Sequence, residues 1–117
     1  VQFDVAIGTF QALQHRAAQL FVELALARSA VMAGLDALDD ISLSEGERQR
    51  LASLAKWKAG QMALKVVNEA VQMHGGIGVT DELDVGLFLK RIRVAQACLG
   101  DADFHCERYA ALELAHA

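Results

Sequence analysis

Proline is absent from these 117 residues, and only two cysteines, one tryptophan and one tyrosine occur. Without proline, and with 54% hydrophobic residues, loop-rich, collagen-like and disordered classes are disfavoured and a helical bundle is expected. Long apolar runs are missing too, since none approaches the roughly 20 residues that a membrane span requires. Nor does the opening VQFDVAIG place a charged leader before an apolar stretch, so secretion is not signalled. These absences point to a soluble, cytoplasmic protein without a membrane span. The formal charge of −4 comes with scattered bases, which supports no nucleic-acid partner. Cys98 and Cys106 match no zinc spacing, and eight helical positions would hold them about 12 Å apart, so both are read as reduced thiols.

What is present is helical periodicity. Phe10, Leu13, Ala17, Leu20, Leu24, Ala27 and Val31 recur on one face of a helix from about Phe10 to Ala37. LDDISLS interrupts the period, and Ser44 followed by Glu47 forms a capping box for a second helix, about Glu45 to His74. Its core stripe is expected at Leu51, Leu54, Ala55, Met62, Val66, Ala70 and Met73. Glycines at 75, 76 and 78 stop this helix. Thr80, with Asp81 and Glu82 behind it, offers the cap of a third helix ending near Leu99. Gly100 punctuates, Asp101 caps, and a last helix covers about Ala102 to Ala115. The expected fold is all-α, an up-and-down four-helix bundle occupying residues 1–117 as one domain. Two helices near 30 residues are long for so small a core, and their many alanines suit close packing, so part of their surface is expected to meet another domain or subunit. The start at Val1, without an initiator methionine, reads as the edge of a longer chain.

Several residues invite a chemical reading. Asp101, Asp103, His105 and Glu107 alternate at spacing two, which would make a metal ladder on a strand. On a helix such neighbours diverge by about 200°, so capping and dipole compensation by the two aspartates is the alternative, and no metal site is expected. His15 and His74 are read as hydrogen-bonded structural histidines, Trp57 and Phe88 as packing anchors, and Lys90, Arg91 and Arg93 as an exposed face. QMHGGIGVT (Gln72 to Thr80) is not GxGxxG and follows no strand, so it fails as a dinucleotide fingerprint. Two readings of it stay open: a plain helix stop, and a bare backbone turn that a phosphate can approach.

NEAVQMHGGIGVTDELDVGLFLKRIRVAQACLGDADFHCER resembles the C-terminal helical domain of the acyl-CoA dehydrogenases, with its Gln, two variable residues, Gly-Gly, one residue and Gly before an Arg-rich helix. QFDVAIGTFQALQHRAAQLFVELALAR is similar to that family's segment leading into a long helix, and together the two matches cover nearly the whole chain. The resemblance implies the last domain of a three-domain flavoenzyme that removes the α and β hydrogens of an acyl-CoA thioester. FAD would lie between domains and against a neighbouring subunit of a homo- or hetero-oligomer, dimer or tetramer. An electron-transfer flavoprotein or similar protein would accept the electrons. By the same resemblance, Phe3 and Gln11 approach the adenosine diphosphate part of FAD, and Gln72, Met73, His74, Gly75 and Gly76 form the turn beside its pyrophosphate. The family arginine before the Gln-Phe pair would fall before Val1.

In many members the catalytic base is the Glu of Tyr-Glu-Gly-Thr. Here that stretch is Cys98-Leu99-Gly100-Asp101, so Leu99 stands at the Glu position and Gly100 at the substrate-side glycine. Leucine accepts no proton, and no catalytic residue is expected in this domain. Asp101 and Asp103 match positions that help hold the flavin. The base would come from an earlier helix, as in the isovaleryl-type branch, or from the partner of a non-catalytic subunit in a heteromeric dehydrogenase. The alternative outside the family is a self-contained helical binding or dimerisation module.

Overall fold

The computed structural model describes residues 10–75 and 84–116. Among them four helices make up the regular structure: α1 (Gln11–Asp39), α2 (Glu45–His74), α3 (Val85–Ala97) and α4 (Ala102–His116). The fold is all-α, as expected. The main packing of α1, α3 and α4 is in each case against α2.

The pairing registers follow from named contacts. Arg16 reaches Glu69 and Gln72, Glu23 faces Lys65, and Arg48 reaches Ala37, so α1 and α2 are antiparallel. Gln96 bonds Gly60, while Ser53 meets His105 and Arg50 meets Glu113, so α3 and α4 both run antiparallel to α2. Up-and-down alternation holds from α1 to α3, and α4 then continues in the direction of α3. The 13 residues of α3 and the 15 of α4 together line the 30 of α2. Three rods result, and the molecule measures 58 × 27 × 24 Å. Its radius of gyration of 17.6 Å exceeds the about 13 Å of a compact domain this long.

α1 meets α2 through small residues. Positions 16, 20, 23, 27, 30, 34 and 37, at spacings of three and four, form the inward stripe, and Ala27, Gly34 and Ala37 are its buried members. A Cβ on Gly34 would stand 3.1 Å from Ala55 Cβ and 3.4 Å from the Leu51 carbonyl oxygen, so the two backbones approach closely here. Of the expected stripe, Ala27 is buried and Phe10, Leu13, Leu20 and Val31 are half-buried, while Ala17 is exposed. Its Leu24 is exposed, along with Phe21, Met32 and Leu35. The buried positions are glycine and alanine, and Leu24, Leu26, Leu35 and Leu38 face outward. On α2 the expected stripe residues are half-buried, while the fully enclosed positions are Ser53 and Val67.

Helix ends leave carbonyls without partners, and neither α1 nor α3 carries a base in its last turn. α2 supplies both. Arg48 donates to the Ala37 and Asp40 carbonyls beyond α1 (3.2 and 2.8 Å), and Lys56 does the same for α3. Its own start has the expected capping box, with Ser44 Oγ accepting from Glu47 N and Glu47 Oε2 from Ser44 N. The expected cap at Thr80 lies outside the described residues. α3 begins at Val85 with Asp84 before it. Phe88, expected as a packing anchor, is exposed.

Candidate functional site

The turn from α3 to α4 is built residue by residue. Leu99 has φ +59 and Gly100 φ +99, so two successive residues take the left-handed region, where a leucine is strained. Four carbonyls of this turn are held by side chains of α2 and α4. Lys56 Nζ donates to Gln96 O, Cys98 O and Gly100 O at 3.2, 3.0 and 2.8 Å, matching the three hydrogens of an ammonium. His105 Nε2 lies 3.0 Å from Leu99 O. A carbonyl only accepts, so Nε2 carries a hydrogen and donates.

His105 Nδ1 meets Ser53 Oγ at 3.0 Å, and Ser53 Oγ accepts from Arg108 Nε at 2.6 Å. In the tautomer with the ring hydrogen on Nε2, Nδ1 accepts, so the serine hydroxyl donates to it and a directed chain runs from Arg108 through Ser53 and His105 to Leu99. Ser53 is 0% and His105 6% exposed, so the chain is a buried polar network with its groups satisfied. Phe104 packs edge-on to the His105 ring, and Arg108 lies over the Phe104 ring.

Leu99 itself is 89% exposed. Asp101 Oδ1 accepts from Phe104 N at 2.9 Å, so this carboxylate caps α4 and is not a free base. Asp103 is exposed in the first turn of α4. His105 points to Ser53 and Leu99, away from any shared ligand position with the two aspartates.

The second group of expected residues lies at the far end of the α1–α2 pair. Gln72 Oε1 accepts from Arg16 (3.2 Å), and Arg16 also pairs with Glu69 at 2.6 Å. What Gln72 has left to offer an anion is its amide N–H₂. His74 Nδ1 donates to Ala70 O at 2.7 Å, a structural bond to its own helix, while Met73 is half-buried. Gly75 has φ +65 and ends α2 with its N–H on Gln72 O. Among the described residues a Cβ there would meet nothing within 4 Å, so conformation, not crowding, calls for glycine.

Gln11 opens α1 at the same end. Among the described residues that helix start has no side-chain cap and no acid in its first turn, so its first-turn N–H groups and positive dipole end suit a phosphate. Phe3 and Gly76 lie outside the described residues. The two groups are thus separate: from Lys56 to Gln72 is about 24 Å along α2. Lys56, Ser53 and Arg108 were not singled out by their sequence pattern, because the partners that give them meaning are 40 to 55 positions away. His105 was noticed only as a ladder member.

An all-helical domain with this turn and this glycine stop is defined as a class by comparison with known proteins. The model of the acyl-CoA dehydrogenase C-terminal domain matches residues 1–113. Acyl-CoA dehydrogenase IpdE2 of Mycolicibacterium smegmatis is 41% identical over 100 residues, 86% of this chain and 29% of that protein. IpdE2 of Mycobacterium tuberculosis is 40% identical over 91 residues, 78% of this chain and 26% of that protein. A 3-(aryl)acrylate reductase of Clostridium sporogenes is 31% identical over 93 residues, 80% of this chain and 24% of that protein. The chain belongs to the acyl-CoA dehydrogenase family, as a C-terminal helical domain. It spans less than a third of the length of these curated relatives.

Proposed function

We propose that this chain is the FAD-contacting, oligomer-forming C-terminal domain of a cytoplasmic acyl-CoA dehydrogenase, and that the catalytic base lies outside it. Leu99 carries the reading: it stands at the Glu position of the stretch resembling Tyr-Glu-Gly-Thr, and its exposed side chain is apolar. FAD, when bound, supplies the acceptor for the β-hydrogen as hydride, and a carboxylate elsewhere takes the α-proton. This chain's own part is to bind and orient. Gln11, the start of α1, the Gln72 amide and the backbone at Gly75 suit the pyrophosphate of one FAD. The turn at Leu99 to Asp103, about 24 Å away along α2, suits the isoalloxazine and acyl region of another. Such an arrangement fits a dimer or tetramer in which each subunit contacts two flavins, with an electron-transfer flavoprotein as acceptor.

The test uses the full-length gene product. It is expected to purify yellow and to bleach anaerobically when an acyl-CoA is added, and Leu99→Ala is expected to keep that bleaching. A colourless, stable 117-residue product of an intact gene would point instead to a self-contained helical module. A folded, flavin-loaded Leu99→Ala protein that no longer bleaches would place the chemistry in this turn. The exposed apolar faces of α1 and α3 support a second reading, a non-catalytic subunit of a heteromeric dehydrogenase. In that case bleaching appears only when the partner chain is co-expressed.

A further inference from the structure

Leu99 is an unusual choice for its position. A left-handed leucine costs about 1–2 kcal/mol, and an 89% exposed side chain recovers nothing by burial within this chain. Such a residue persists only where its surroundings over-determine it. The surroundings here are two side chains from two different helices. Lys56 of α2 grips the carbonyls on both sides, at 96, 98 and 100, and His105 of α4 grips the carbonyl of Leu99 itself. His105 is in turn fixed by Ser53 and Arg108.

We propose that Lys56 and His105 are positioning residues that aim the Leu99 side chain, and that Leu99 so aimed is a specificity-determining wedge against the acyl part of the thioester. This rests on the reading above that the turn borders the acyl site. A side chain on a free turn would sample many directions and select little. Held from two helices, it presents one apolar shape to the acyl chain and discriminates between straight and branched substrates. Neither Lys56 nor His105 need touch substrate.

The test is a double-mutant cycle in the full-length protein, purified with any subunit that accompanies it. The readout is the ratio of kcat/KM for a straight-chain and an α-branched acyl-CoA, with flavin content measured alongside. Lys56→Gln is expected to keep its flavin and to move the ratio about tenfold, the scale of one methylene in an apolar pocket, mainly through KM. In a Leu99→Ala background the same substitution is expected to leave the ratio where Leu99→Ala alone puts it. An unmoved ratio, or an equal shift in both backgrounds, overturns the proposal. Should Lys56→Gln lose flavin, His105→Gln provides the same readout, and loss of flavin by both overturns it too, since that is the behaviour of plain structural anchors. A wild-type protein that neither holds flavin nor turns over acyl-CoA overturns the dehydrogenase reading and this one with it. Wild-type turnover with an unmoved ratio overturns only the positioning.

Discussion

At the scale of single residues, positive φ marks Gly75 and Gly100 as positions whose backbone any side chain would strain. A Cβ on Gly100 would stand 2.6 Å from Phe104 Cδ1 and 2.9 Å from His105 Nε2, at φ +99. Gly100→Ala therefore combines backbone strain with a clash against the buried histidine. It is expected to destabilise the protein by about 2 kcal/mol, measured by denaturant unfolding, whereas Gly75→Ala meets no atom of the described residues and is expected to show the conformational cost. Asp40 supplies a pH-dependent case. Its carboxyl is held below its ordinary 3.8 by the Ser42 hydroxyl at 2.6 Å, then by the Ser42 backbone N–H at 2.9 Å and the nearby Arg48 charge, against a small opposing effect of burial. A lowered folded-state value means stability that is present above 3.8 and lost as the pH falls through the depressed value. Ser42→Ala is expected to bring the Asp40 titration back up toward 3.8, followed by carboxyl NMR shifts, and to narrow that acid-dependent window. The Ser44 box and the Asp101 cap could be read in the sequence because cap and target are three positions apart. Lys56 could not, since nothing local distinguishes a lysine reaching three distant carbonyls from one in solvent.

At the scale of elements, α2 is the organiser, and its role follows from having partners on several sides. Arg48 closes the open end of α1 and Lys56 that of α3, while Arg50 ties α2 to the Glu113 and Tyr109 side chains of α4. The boundaries of α2 and α4 were legible from caps and glycines, and the extent of α1 from its apolar period and the break at LDDISLS. The facing of α1 was legible only in part: the period puts Leu13, Leu20, Ala27 and Val31 inward, but does not tell that glycine and alanine, rather than Leu24, take the buried positions. Here the inward face is the small-residue one, and the leucine face awaits a cover outside the described residues. Gly34 is the sharpest point of that contact, with Ala55 Cβ at 3.1 Å from where its own Cβ would be. Gly34→Val is expected to force α1 off α2 and to cost about 1–3 kcal/mol in denaturant unfolding. Ala33→Val, on the exposed side one residue away, is expected to be nearly neutral.

At the scale of the whole molecule, the apolar surface has to go somewhere. Phe21, Leu24, Met32 and Leu35 form an outward stripe on α1 with Arg28 among them, and Leu87, Phe88 and Val94 are exposed on α3. By length and composition α1 is itself able to cross a membrane, a correction to the expectation that no segment approaches that requirement. The same helix, however, carries Arg16 and Glu23 paired to Glu69 and Lys65 of α2, and α2 adds Arg48, Arg50, Lys56 and Lys58 alongside. An antiparallel α1–α2 pair in hydrocarbon would take all of these charges with it, at about 2.5–3.5 kcal/mol for each Arg or Lys near the centre. Protein is the less costly cover, and the stripe's spacing suits helices of another domain or subunit. Phe21→Glu combined with Leu35→Glu in the full-length protein is expected to lower its mass in light scattering by at least one subunit or to release its flavin, while the wild type stays in the soluble fraction after ultracentrifugation. Wild-type protein that sediments with membranes and resists alkaline extraction would assign the stripe to lipid, and an unchanged mass with full flavin in the double variant would leave the stripe outside the subunit interface.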